Sequence, residues 1–201
     1  MPRKKSALSA AEYAILGLLY QQPMHGYQIA QEMVPSRGLG LICPLGLSNV
    51  YFLLGNLERR GLIAVDHREQ DAYPPKTVLK ATATGKRAFR TWISRPATRL
   101  REVRLDFPLK LYFLRHEDAE SIPRLLDGQI AFCRQYLSEW TALVDSAAPD
   151  SFDRLAMQSK VAAGQGTLDW LLEYRIGLVR QRADSRSPGR RLKASRQRGR
   201  R

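Results

Sequence analysis

The run Ser48-Asn49-Val50-Tyr51-Phe52-Leu53-Leu54-Gly55-Asn56-Leu57-Glu58-Arg59-Arg60-Gly61-Leu62 holds residue types suited to recognition rather than catalysis. Val50, Leu53, Leu54 and Leu57 recur at helical spacing, which leaves Ser48, Asn49, Phe52 and Asn56 for another face. Short polar groups on a helix anchored by its other side can bond phosphates or base edges, and a Phe ring can meet a thymine methyl. A helix N-terminus also favours a phosphate. Tyr51 adjoins the apolar side, where it either reaches a phosphate with its hydroxyl or serves as core alone. An ordinary amphipathic helix would show the same pattern. His67 and Arg68, with Lys76 and Lys80, flank a polar stretch and could meet a sugar-phosphate backbone, as could Lys4 and Lys5. A solvated hairpin would carry the same cations.

Catalytic constellations are not evident. His25, His67 and His116 fall on separate predicted elements, and none has metal-ligand spacing. There is no Gly-x-Ser-x-Gly elbow, phosphate loop or dinucleotide fingerprint. Gly38-Leu39-Gly40 and Gly164-Gln165-Gly166 are too short for one. Cys43 and Cys133 lie far apart and read as reduced core thiols. The expectation is a protein that is not an enzyme and uses no cofactor or metal. No apolar run approaches the roughly 20 residues of a membrane span. The N-terminus lacks a signal-peptide core, so a cytoplasmic location is expected.

The net charge of +14 is concentrated at the ends of the chain. Residues 180–201 hold ten Lys/Arg against Asp184, and residues 1–8 add Arg3, Lys4 and Lys5. Such tails raise affinity for a polyanion by counterion release, without sequence choice. They could equally be solubilising.

The elements that must position these residues follow from periodicity. Ser9 with Glu12 is a capping box for a helix carrying Tyr13, Leu16, Leu19 and Tyr20, ended by Gln21-Gln22-Pro23. Tyr27, Ile29, Ala30 and Met33 mark a short second helix. Residues 35–47 are a Gly/Pro-rich loop, and Ser48 or Asn49 can cap the third helix. Gly61 suits a left-handed helix end. Leu62–Val65 and Thr77–Ala81 read as the strands of a hairpin. Thr82 or Thr84 then opens a helix through Phe89, Trp92 and Ile93. Three helices followed by a hairpin is the order of a winged helix-turn-helix. Further on, Leu126, Ile130, Cys133, Leu137, Trp140 and Val144 follow a 3.5-residue repeat, the seam of a coiled-coil-like contact. A last helix runs from about Phe152 to Val179 with Leu168, Leu171 and Leu172 among its apolar residues. Its Ala162-Ala163-Gly164 and Gly166 would let another helix approach closely.

Taken together, Ile15-Leu16-Gly17-Leu18-Leu19, Pro23-Met24-His25-Gly26-Tyr27-Gln28-Ile29, Asn49–Leu62 and Leu79–Gly85 resemble the PadR-like family of transcriptional regulators. Asp106-Phe107-Pro108-Leu109-Lys110-Leu111 and Leu168-Asp169-Trp170-Leu171-Leu172 extend the resemblance into the second half. Asn49 stands where the family usually has Ser, Phe52 where Pro is common, and Gly55 where a polar residue is usual. The resemblance implies a mostly α protein: a winged helix-turn-helix with a small β-hairpin wing, followed by an antiparallel helical dimerisation domain. The expected organisation is a disordered basic arm (1–8), the DNA-binding domain (9–95), the dimerisation domain (104–180) and a disordered basic tail (181–201). A homodimer would join through Leu126, Ile130, Cys133, Leu137, Trp140, Val144, Leu168, Leu171 and Leu172 on a pseudo-palindromic double-stranded operator. The family's link with aromatic ligands implies a pocket for a small effector at Trp140, Trp170 and Tyr174, releasing a repressor. The alternatives are a non-specific basic nucleic-acid binder acting through its tails, and a protein-interaction module.

Overall fold

A computed structural model describes residues 8–36, 38–69 and 76–186. Lys4, Lys5, the expected arm up to residue 7 and the tail beyond residue 186 lie outside the described residues. Helix α1 (Ala10–Gln21) begins with the expected capping box: the Ser9 N–H donates to Glu12 Oε2 at 2.8 Å, and the Glu12 N–H donates to Ser9 Oγ at 3.2 Å. Ala14 to Leu19 are all buried, because this helix is packed on several sides.

The chain then forms a strand that the periodicity did not reveal, β1 (Met24–His25). Two residues are too few to show an alternating pattern. Helix α2 (Gly26–Glu32) follows directly, capped by His25, whose Nδ1 accepts from the Gln28 N–H at 3.2 Å. A single 3₁₀ turn, Gly38–Leu41, interrupts the expected loop. Helix α3 (Leu47–Arg59) ends at Gly61, which takes the left-handed φ of 69°. Strands β2 (Ile63–Glu69) and β3 (Lys76–Ala81) pair antiparallel, with Ile63 opposite Ala81 and Glu69 opposite Lys76. β1 pairs with β3 as well, giving the order β1-β3-β2. The register shifts between Val65 and His67, so Asp66 is the extra residue of a bulge.

Helix α4 (Ala83–Ile93) is capped by Thr82, whose Oγ1 accepts from the Gly85 N–H at 3.1 Å. Its residues Phe89, Trp92 and Ile93 are buried, and the first two meet α1. Tyr13 stacks on Trp92 with centroids 4.5 Å apart, and Tyr20 lies 5.0 Å from Phe89. Helix α5 (Leu100–Glu117) completes this cluster: Phe113 meets Phe89 edge-on at 5.1 Å and lies across Gly17, where a Cβ would collide with the ring. The Leu-Gly-Leu-Leu run of α1 therefore has its glycine where an aromatic ring needs the space. Pro108 sits inside α5, at a helix-interior cost of about 3 kcal/mol. The burial of Phe107, Leu109, Leu111 and Phe113 around it opposes that cost.

The chain divides into two compact units, residues 1–128 and 129–201. Helix α5 thus packs with the winged helix, although the sequence pattern grouped its residues with the C-terminal region from 104 onward. The aromatic contacts to α1 and α4 decide this, and they join residues far apart in the chain. Helix α6 (Ile122–Ser146) crosses the boundary, and α7 (Phe152–Arg186) runs beyond the expected end near Val179. The C-terminal part of α6 and α7 form an antiparallel pair. A Cβ on Gly164 would lie 3.0 Å from Leu137 and 3.2 Å from Tyr136, Lys160 Nζ sits 4.0 Å from the Trp140 ring centroid, and Arg154 Nη1 donates to the Val144 carbonyl at 2.8 Å. No described helix is long and apolar enough to cross a membrane.

Candidate nucleic-acid interface

Helix α3 presents the outward face expected of it. Val50, Leu54 and Leu57 are buried and Leu53 is half-buried, while Ser48, Asn49, Tyr51 and Phe52 are exposed. The start of the helix differs from expectation. Gly46, not Ser48 or Asn49, is the N-cap, and it makes no side-chain hydrogen bond. Ser48 and Asn49 consequently lie in the first turn with their side chains facing out. The N–H groups of Leu47, Ser48 and Asn49 have no intrahelical acceptor, as at any helix start, and here no side chain supplies one. Positive helix-dipole charge, open N–H groups and two short polar side chains coincide at that end.

Tyr51 is 54% exposed, yet it is not loose. Its ring lies over the start of α2, where a Cβ on Gly26 would be 2.7 Å from Tyr51 Cε1. The His25-Gly26-Tyr27 motif and the third helix are thus one device. His25 caps α2 and Gly26 makes room for the Tyr51 ring, about half of which stays open to solvent. Phe52, 65% exposed, stands free of the core and can make apolar contact with a base methyl.

Asn56 is half-buried, and its Oδ1 accepts from Arg59 Nη2, so it is less available to a base than expected. Arg59 is itself exposed, with Nε donating to the Gly55 carbonyl at 3.2 Å. It is a cation on α3 that the apolar periodicity passed over. Its i,i+3 and i,i+4 partners were the available signal. Arg60, following α3, lies 3.8 Å from Glu12 and ties α3 to the α1 capping box.

The wing carries fewer free charges than its sequence suggests. Lys80 Nζ is 2.8 Å from Asp66 Oδ1, and His67 Nδ1 is 2.9 Å from Asp66 Oδ2. The Lys80 and His67 hydrogen bonds hold the Asp66 carboxyl below its ordinary range. The bulge brings this about: an extra residue at 66 re-aims the carboxylate across the ladder. Arg68 and Lys76 remain exposed, on opposite strands of the hairpin.

The expected dimer residues are placed differently. Leu126, Ile130, Cys133, Val144, Leu168 and Leu171 are already buried in a single chain, and Leu137, Trp140 and Leu172 are partly covered. From Leu137 to Val144 the α6 seam faces α7 of the same chain, because the two helices satisfy each other's apolar stripe. What stays exposed on α7 is a second set: Phe152, Leu155, Trp170, Ile176 and Val179. In the expected effector group, the Trp140 ring is occupied by the Lys160 ammonium and neighbours Tyr136 at 5.9 Å. Trp170 and Tyr174 lie one turn apart on α7, exposed and half-buried. Burial pushes the Cys133 thiol up to about 11, in keeping with an unreactive core cysteine.

Residues 15–91 match the model of the transcriptional regulator PadR-like family. No curated protein matches the chain. Solved structures that it is similar to include Bacillus subtilis PadR in complex with operator DNA, at 24% identity over 83% of this chain and 97% of that one, TM-score 0.42. The same protein in complex with p-coumaric acid covers 83% and 96% at 24% identity, TM-score 0.39. The smu.1604c protein of Streptococcus mutans UA159 covers 82% and 98% at 20% identity, TM-score 0.37.

Proposed function

From the premise that residues 15–91 form a PadR-like regulator domain, we propose that this chain is a cytoplasmic, sequence-specific DNA-binding repressor rather than an enzyme. The observation that carries the reading is the outward first turn of α3. Ser48, Asn49 and Phe52 stand exposed over a firmly buried Val50-Leu54-Leu57 stripe, with Tyr51 braced on Gly26 beside them. A helix so anchored can enter a major groove with base-reading groups foremost. Arg68 and Lys76 on the wing, and Arg59, supply phosphate contacts that set register without choosing sequence.

The repressor works as a homodimer on a pseudo-palindromic site. The exposed Phe152, Leu155, Ile176 and Val179 of α7 support association, since apolar area of this kind is what a second copy would cover. A small aromatic effector near Trp170 and Tyr174 would release the DNA by changing how the two copies are held.

The test is selection of bound genomic fragments by the purified full-length protein, followed by footprinting of the best one. A protected, two-fold related sequence supports the reading; uniform recovery of all fragments overturns it. A protein ended at Arg186 addresses the tail-driven alternative. Operator preference should survive that truncation, and its collapse would favour a non-specific basic binder.

A further inference from the structure

We infer that the outward face of α4 is a second attachment surface, which takes the phosphodiester backbone of duplex DNA and is distinct from the reading face of α3. The stretch from Ala83 to Arg101 holds six Lys/Arg and no acid. Of these, Lys86, Arg87, Arg90 and Arg95 are all exposed and, with Thr91 and Ser94, line an open cleft of about 560 Å³ along one side of the helix. The opposite side carries the buried Gly85, Phe89, Trp92 and Ile93, so the cations cannot turn inward. Among the described residues no carboxylate lies within ion-pair distance of those four; the nearby Glu102 and Asp106 engage Arg99 and Lys110 instead. Arg90 is held by its Nε bond to the Tyr20 hydroxyl at 3.0 Å, which fixes its guanidinium at the surface.

An array of unpaired cations costs stability by mutual repulsion, and a bound polyanion would relieve that cost. From Lys86 to Ile93 the helix rises about 10 Å and Arg95 follows its end, so the four cations span enough to face several duplex phosphates. Single-stranded nucleic acid is the poorer fit. Its binders stack bases on exposed rings, and the α4 rings, Phe89 and Trp92, are buried. The surface is also separate from the α3 face. Its lining residues all fall between 83 and 95, and none belongs to α3. Its occupant is therefore a flanking or second segment of duplex.

The experiment compares full-length wild type with the triple variant Lys86→Gln, Arg87→Gln, Arg95→Gln. Each binds a labelled mixed-sequence duplex of about 40 bp across a salt series. Circular dichroism melting checks that the variant is folded, as these exposed side chains should allow. The expected result is a dependence of log K on log salt that is shallower by about 2 to 3 units, for three lost phosphate contacts. An unchanged slope overturns the inference, as does a change seen only with a single-stranded RNA of equal length. Asn49→Ala, which removes no charge, should leave that slope alone and reduce only the preference for selected genomic fragments. Failure of that arm counts against the α3 reading and not against the α4 surface.

Discussion

Helices α3 and α4 are of similar length, both rest on α1, and both bury one apolar stripe, yet their outer faces differ in kind. The first two turns of α3 show Ser48, Asn49, Tyr51 and Phe52, short or aromatic groups without charge, with an open N-terminus, and its one exposed cation, Arg59, stands at the far end. α4 shows three cations, with Arg95 just past its end, and starts with a satisfied Thr82 cap. On the reading proposed above, the difference would separate two tasks in binding a polyanion. Neutral donors placed to within an ångström discriminate bases, because a wrong base leaves them unpaired. Charges add affinity that falls with salt and ignores sequence. A single helix doing both would trade one against the other.

The comparison breaks most completely at the footing the helices share. Phe89 is fully buried against Tyr20, Trp92 and Phe113. Phe89→Ala should cost about 3–5 kcal/mol, seen as a lower denaturant midpoint, with both DNA-binding properties lost together. Next is Lys110, buried under the end of α4 with Nζ donating to the Arg95 carbonyl at 2.8 Å. Burial pushes its ammonium down to about 8, against the pull of Asp106. The folded state therefore releases this proton before the unfolded chain does. The cost of holding the charge is fully present below pH 8 and is relieved as pH rises toward the unfolded value of 10.5. Measured as the difference in melting temperature between wild type and Lys110→Met, which cancels the opposing titration of Cys133 and the buried phenols, this contribution should grow in favour of wild type as pH rises through that window.

On the discriminating side, Asn49→Ala should lower operator preference by about 1–3 kcal/mol with the salt slope unchanged, measured by competition between operator and scrambled duplex. The smallest effect sharpens the contrast. Gly46 is the N-cap of α3, and a Cβ there meets nothing within 4 Å. Gly46→Asp should supply the missing cap and stabilise by a few tenths of a kcal/mol in thermal melts. The added carboxylate should nonetheless weaken duplex binding. If binding strengthens instead, the open N-terminus of α3 does not face phosphate.

Much of this was readable from local pattern. The Ser9-Glu12 box, Thr82, Gly61 and the 3.6-residue stripes of α1, α3 and α4 depend on neighbours a few residues away, and they formed as expected. The outward face of α3 was legible for the same reason, since it is the complement of the Val50-Leu54-Leu57 stripe. β1 was too short to announce itself, and the cap of α3 shifted to Gly46 because nothing in a Gly/Pro-rich run marks where helical geometry begins. The engagement of Asn56 by Arg59, and of Lys80 and His67 by a bulged Asp66, is not legible in sequence because side-chain direction chooses those partners.

By itself, the order of residues determined which segments become helix or strand and which side of each turns inward, because those choices are settled within a turn or two of chain. Only the folded molecule decided what meets what. Tyr51 rests on Gly26, α5 joins the first unit through Phe113, and the seam ending at Val144 faces α7 of its own chain. The reason is physical: an apolar stripe states that it must be covered, and many surfaces can cover it. Distance and shape in three dimensions select one.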